Sequence, residues 1–304
     1  MFVEQSKFDA DDASILDLPS IDNIIFRTED PKKKWIEQAT ERVGDWRAFV
    51  RSVFMRWAIT INALHVARDR YAANPGTALT IDTLRPGKDG PERVHMAIWP
   101  AEQTAQNYEA SIPLIAAYAV QDLFGAMEEI IFALYEIFLE QNPQSLMEGR
   151  DYRHMRAAYQ TRSDGPDEAR LWEDLWTQRF EGWRRRRIFD GLNQVFSALW
   201  RATGLARPSW FKHTDIEDWS RTIELIAELR NLVTHGADEV SQRLADLSAA
   251  QPYLGLDYVV GAKLEISVSD LWVIENFLDT LLTAINSSLF ELGIGAPMPA
   301  PRKS

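Results

Sequence analysis

Apolar residues recur at three- and four-residue intervals from Lys32 to about Tyr71, at Trp35, Ile36, Ala39, Val43, Trp46, Phe49, Val50, Val53, Phe54, Trp57, Ile61 and Leu64. That is the period of a helix with one buried face, and it predicts one long helix or two joined at Gly44. Asn74-Pro75-Gly76 stops it. Two short apolar stretches, 78–81 and 94–99, flank the turn-rich segment 85–91 and predict one small β-hairpin or an ordered loop. The strongest helical pattern runs from Ser111 to Gln141 and ends at Asn142-Pro143, where proline breaks the ladder. Gln121, Asp122, Glu128, Glu129 and Glu136 interrupt its apolar run, so it reads as a buried helix rather than a membrane span.

Further on, residues 144 to 187 predict one or two shorter helices interrupted at Ser163-Asp164-Gly165-Pro166, and Arg187 to Thr203 a helix closed by Gly204. Asp215 or Asp218 is the expected cap of a helix that runs through Leu232 to a stop at Gly236. A short strand over 263–268 and a last helix from about Asp270 to Leu292 complete the reading. The expected architecture is mainly α: a helical bundle over 106–293, an N-terminal helical extension of unassigned role over 1–105 with the hairpin, and a Gly/Pro-rich disordered tail over 294–304. Residues 1 to 31 are acidic and read as a loose arm or an irregular cap, with Asp9, Asp11 and Asp12 solvated.

Composition narrows the function classes. The chain of 304 residues is 46% hydrophobic and 26% charged, as a folded soluble protein is, and carries 33 basic against 45 acidic side chains for a formal charge of -12. Broad coating of nucleic acid needs basic groups that displace phosphate counterions, so the balance argues against it. The charge is uneven, however, because residues 150 to 212 hold 13 basic and 8 acidic groups. There is no cysteine, which excludes disulfides, thiolate metal sites and a cysteine nucleophile. The first residues lack a basic start followed by an apolar core, so a cytoplasmic protein is expected.

The segment Trp219 to Gly236 carries the candidate chemistry. Within it Arg230 is followed by the polar Asn231 and, after four intervening residues, by His235. This arrangement, at the end of a late bundle helix, resembles the motif of the HEPN superfamily, all-α domains named from higher eukaryotes and prokaryotes nucleotide-binding. The resemblance covers about residues 106 to 293.

The residue types suit RNA cleavage without metal. The RNA 2′-hydroxyl attacks the adjacent phosphate while the protein moves protons and offsets charge on the phosphorane oxygens. Histidine titrates near pH about 6.5 and serves as base or acid at cellular pH; arginine stays charged and forks onto phosphate oxygens. Asn231 and His235, four apart, share a helix face, so Asn231 is expected to orient the imidazole or hold the phosphate. Arg230 and His235 are separated by a net turn of about 140° and do not stack on one face. The resemblance implies an endoribonuclease that leaves a 2′,3′-cyclic phosphate, requires no cofactor or metal, and pairs two motifs across a homodimer cleft. It also implies a toxin or phage-defence setting, with an inhibitory protein partner. The alternatives are a non-catalytic interaction or nucleotide-binding module and, for the residues themselves, a C-terminal histidine near the helix dipole with Arg230 paired to Glu224 or Glu228.

Arg184, Arg185, Arg186 and Arg187 form the densest basic run and are candidate RNA contacts, with Trp183, Trp210 or Phe211 as stacking platforms. The same run also reads as a solvated face answering nearby acids. Trp172, Trp176 and Phe180 follow a helical spacing and read as core. His65, His95, His154 and His213 show no spacing for a metal site or triad, and the sequence holds none of the common metalloprotease, phosphate-loop or dinucleotide motifs.

Overall fold

The computed structural model describes residues 23–298, so the acidic cluster near the N-terminus and most of the expected tail lie outside the described residues. The fold is mainly α, with eight helices and one two-stranded antiparallel sheet among the described residues.

The 3.6-residue period of the first block forms one unbroken helix, α1 (Lys34–Ala72), in which Gly44 causes no break. The strands β1 (Ala78–Gly87) and β2 (Gly90–Pro100) follow as a hairpin with a bulge at Ile81/Asp82. The chain returns through α2 (Ala101–Gln141), which begins ten residues before the apolar pattern does and runs through Pro113. Residues 101–110 are good helix formers, but only Ala101 and Thr104 are buried there, so they give no periodic signal. Residue 106 therefore falls inside a continuous helix. By length and composition α2 is apolar enough to cross a membrane; its inner residues, such as Ala116, Ala119, Val120 and Leu123, are fully buried in the core.

The shorter helices are α3 (Arg153–Thr161), α4 (Pro166–Ile188), α5 (Leu192–Thr203), α6 (Ile216–Thr234), α7 (Gln242–Ala249) and α8 (Val268–Ile294). α1 packs along α2 and then α8, while α6 packs on α2, α5 and α7. Arg47 forks onto Asp279 with two bonds of 2.8 Å, tying α1 to α8. Residues 23–30 run beside these two helices: the Phe26 N–H donates to Thr40 Oγ1 at 3.1 Å, and its ring lies where a Cβ on Gly293 would sit only 2.7 Å away. α8 closes at the left-handed Gly295 (φ 70), so the first residues of the expected tail belong to its cap. Among the described residues the expected strand over 263–268 is reduced to one bridge, Glu239 to Lys263.

On α4 the rings of Trp172, Trp176, Phe180 and Trp183 stack in sequence at 5.6, 6.1 and 5.4 Å. Trp183 also meets Tyr135 edge to face at 4.8 Å. Trp176, Phe180 and Trp183 are buried, so this ladder is core and Trp183 offers no face to a nucleobase.

Candidate functional site

α6 sets the site. Asp215 and Asp218 cap its start reciprocally, so both expected cap residues act together. Trp219, Thr222, Ile223, Ile226 and Leu229 form its buried stripe at helical spacing, which leaves Arg230 half-buried and Asn231, Thr234 and His235 exposed. The helix ends in a Schellman turn: the Gly236 N–H donates to Val233 O at 3.3 Å and the Ala237 N–H to Leu232 O at 2.9 Å. Gly236 adopts φ 67, the left-handed conformation that glycine takes without steric cost. His235 is the residue at which the helix stops, its own N–H bonded to Asn231 O at 3.0 Å.

The Arg230 guanidinium lies over the Phe124 ring of α2 at 4.4 Å from its centroid and donates from Nη1 to Asn231 Oδ1 at 3.1 Å. Asn231 thus braces the arginine; the bond from Asn231 to the imidazole that the shared helix face suggested is not formed. The carboxylates expected to pair with Arg230 are engaged elsewhere. Glu224 accepts from Arg243 Nη2 at 2.9 Å, and Glu228 accepts from Ser241 Oγ at 3.0 Å. Among the described residues, neither Arg230 nor the His235 ring makes an ion pair, and the two side chains do not bond to each other.

Beyond Gly236 the backbone is held firmly. Asp238 O accepts from the Leu264 N–H at 2.8 Å, and the Val240 N–H donates to Ala262 O at 2.9 Å. A cleft of about 770 Å³ opens on this side, walled by α1 and α2 on one flank and by residues 237–238 and 263–268 on the other. It includes Asp238, three residues past His235, but neither Arg230 nor His235 itself. His65 borders it, its pKa lowered first by burial and then by Arg68.

The arginine run occupies the last turn of α4 and is largely engaged within the chain. Arg184 bonds Glu129 at 2.6 Å, Arg185 bonds Glu181 at 3.2 Å, Arg186 donates to Gly182 O at 3.1 Å and Arg187 bonds Asp190 at 2.9 Å. Cations there also answer the negative end of the helix dipole. Arg184 lies 5.1 Å from the Phe132 ring, so Arg184 and Arg230 rest on rings eight residues apart on α2, about 12 Å along its axis. Trp210 and Phe211 are half-buried and pack on each other at 5.4 Å. His95 bonds Asp82 at 2.5 Å across the hairpin.

Phe124, Asp238 and Lys263 were not singled out by the sequence. Nothing local in α2 marks one buried Phe as the platform for an arginine more than a hundred residues later. No protein-family model matches the chain, and no curated protein or solved structure matches it.

Proposed function

We propose that this chain is a metal-independent endoribonuclease of HEPN type, cutting RNA by attack of the 2′-hydroxyl on the adjacent phosphate to leave a 2′,3′-cyclic phosphate and a 5′-hydroxyl. The observation that carries the reading is the state of the motif: His235 is exposed at a helix end, and Arg230 is fixed by an aromatic ring and an amide rather than neutralised by a carboxylate. A guanidinium in that state keeps its charge and its fork for phosphate oxygens. His235 is the general base or acid, Arg230 the clamp on the phosphate and its transition state, and Asn231 the residue that positions Arg230.

Arg230 and His235 are not in contact within one chain, which supports a homodimer in which the arginine of one copy meets the histidine of the other across a two-fold axis. Arg184 to Arg187 supply the flank along which the RNA backbone runs, with Arg184 close enough along α2 to continue the path from Arg230. The proposed setting is cytoplasmic, as a toxin or phage-defence nuclease held in check by an inhibitory protein.

A second reading is a non-catalytic module that uses the motif surface to bind a protein partner. The position of Arg230 and His235 outside the neighbouring cleft favours it.

Purified protein incubated with RNA in EDTA distinguishes the two. Cutting that yields cyclic-phosphate ends and is lost in His235→Ala and Arg230→Ala, with helicity and oligomer mass unchanged, supports the nuclease. Equal background cleavage by wild type and both variants overturns it.

A further inference from the structure

The outer side of α1 carries a pattern that the fold leaves unused. Its inner side is held in the core by Trp46, Val50, Val53 and Ile61. On the opposite side, positions 45, 49, 52, 56, 59, 63, 66 and 70 follow one another in alternating steps of four and three residues, and all of them are exposed. That average step of 3.5 keeps them on one stripe about 38 Å long, with the spacing of the seam between two coiled helices. Along it Phe49, Ile59 and Val66 are 45, 61 and 60% exposed. Ser52 and Ala63 lie between them and are small enough for a second helix to come close.

The charges on the stripe say what fits it. It begins at Asp45 and ends at Arg70, and neither side chain makes a hydrogen bond or an ion pair among the described residues. Their charged neighbours on the same helix are engaged within the chain: Arg47 with Asp279, Arg51 with Glu275 and Arg68 with Glu109. Arg56, near the middle, donates from Nε to Ser52 O at 3.3 Å and has no carboxylate partner among the described residues. A second copy of this stripe, laid antiparallel about a two-fold axis midway between positions 57 and 58, answers each of these groups. Asp45 meets Arg70 of the second copy at both ends, Phe49 meets its Val66, Ser52 meets its Ala63, and Ile59 meets the aliphatic stem of its Arg56. Laid parallel and in register, the same stripe would set Asp45 on Asp45, Arg56 on Arg56 and Arg70 on Arg70, three repulsions in place of two attractions.

We infer that the outer side of α1 docks a second copy of this chain, antiparallel over residues 45–70, with an Asp45–Arg70 ion pair at each end. The inference goes beyond the RNA-cleavage reading and does not rest on it. That reading pairs copies through Arg230 and His235 at the end of α6, which packs on α2, α5 and α7, so the two contacts fail separately.

The test is the mass of the full-length chain by sedimentation velocity at low salt, with circular dichroism as the folding control. Asp45→Arg and Arg70→Asp each set like charges against one another at both ends, and each is expected to halve the wild-type mass at low micromolar concentration. Asp45→Arg and Arg70→Asp combined in one chain bring opposite charges back together and should restore that mass. Direction is read separately, because the chain has no cysteine of its own. Ser52→Cys with Ala63→Cys in one chain should give covalent dimers with a short bis-maleimide. Ser52→Cys alone should not, since its two copies stand about 16 Å apart along the helix axes. A wild-type chain that sediments as a monomer, single charge variants of unchanged mass, a combined variant that stays dissociated, or covalent dimers from Ser52→Cys alone overturns the proposal. RNA cleavage in EDTA, measured on the same samples, separates it from the nuclease reading. A mass that halves and is restored in a chain that never cuts RNA keeps this face and removes the nuclease. Unchanged mass in charge variants that still cut RNA removes this face alone.

Discussion

Arg230 rests on the face of Phe124, 4.4 Å from the ring centroid, and not on a carboxylate. A carboxylate would orient the guanidinium and cancel its charge together. An aromatic face orients it through the ring quadrupole and leaves the charge for an incoming anion. The guanidinium is therefore positioned by a buried ring.

That division of labour sets an expectation for two variants. Arg230→Lys keeps the charge but loses the fork, and its kcat/KM on RNA in EDTA should fall by about a hundredfold. Phe124→Leu leaves the arginine and removes its platform, for a loss of about tenfold, with about 1–2 kcal/mol of stability lost by thinning the core. Cleavage by Phe124→Leu at the wild-type rate would remove Phe124 from the site.

Gly236 invites a second experiment. Its φ of 67 ends α6 immediately after His235, and a Cβ there would meet nothing within 4 Å. The cost of Gly236→Ala is thus backbone strain alone, about 1 kcal/mol, or a Tm lowered by about 2–4 °C. Because the turn also fixes the direction of the His235 backbone, RNA cleavage should drop further than stability does. Gly236→Asn, which tolerates the left-handed region, should lose less of both. Equal Tm for Gly236→Ala and wild type would show that the turn is not needed.

The same helix shows how far the sequence alone reaches. Its caps, its buried stripe and its stop at Gly236 are local chemistry, and each was readable from residues within a turn or two of one another. The same holds for α1, whose single apolar face is periodic over its inner half. The first ten residues of α2 were not readable, because Ala101–Ala110 is mostly exposed and carries helix propensity without an apolar face. Nor was the environment of Arg230. Glu224 and Glu228 precede it by six and two residues, off the three- and four-residue separations at which helix side chains meet, and Arg243 and Ser241, brought in by α7 and its cap, engage them. Long-range competition for a partner leaves no trace in spacing.

The strap over residues 23–30 has an electrostatic anchor that acid should release. Glu37 accepts from Lys34 Nζ at 2.8 Å, from Arg27 Nη1 at 3.1 Å and from the Thr28 N–H at 3.3 Å. The bond from Lys34 first, and that from Arg27 next, lower its pKa to about 2. An unfolded glutamate titrates near about 4.3, so the folded chain holds this carboxylate ionised where the unfolded chain has already protonated. The stabilisation is complete above about 4.3 and is lost as pH falls from there through about 2. Urea midpoints of wild type and Glu37→Gln should therefore differ most near neutral pH and converge in acid. A difference that widens in acid would contradict the assignment.

The separation of Arg230 from His235 leads to the most discriminating test. If each catalytic centre joins the arginine of one copy to the histidine of the other, Arg230→Ala and His235→Ala homodimers are both dead. In a mixed dimer one centre receives both mutated residues, and the other receives an intact arginine and an intact histidine. Equimolar mixing with subunit exchange makes about half of the dimers mixed, each with one of its two centres whole, so about a quarter of wild-type cleavage should return. Exchange is followed by mass on differently tagged chains, and cleavage is read in EDTA on the same samples. Mixed dimers that form and stay inactive would place Arg230 and His235 of one chain in the same centre.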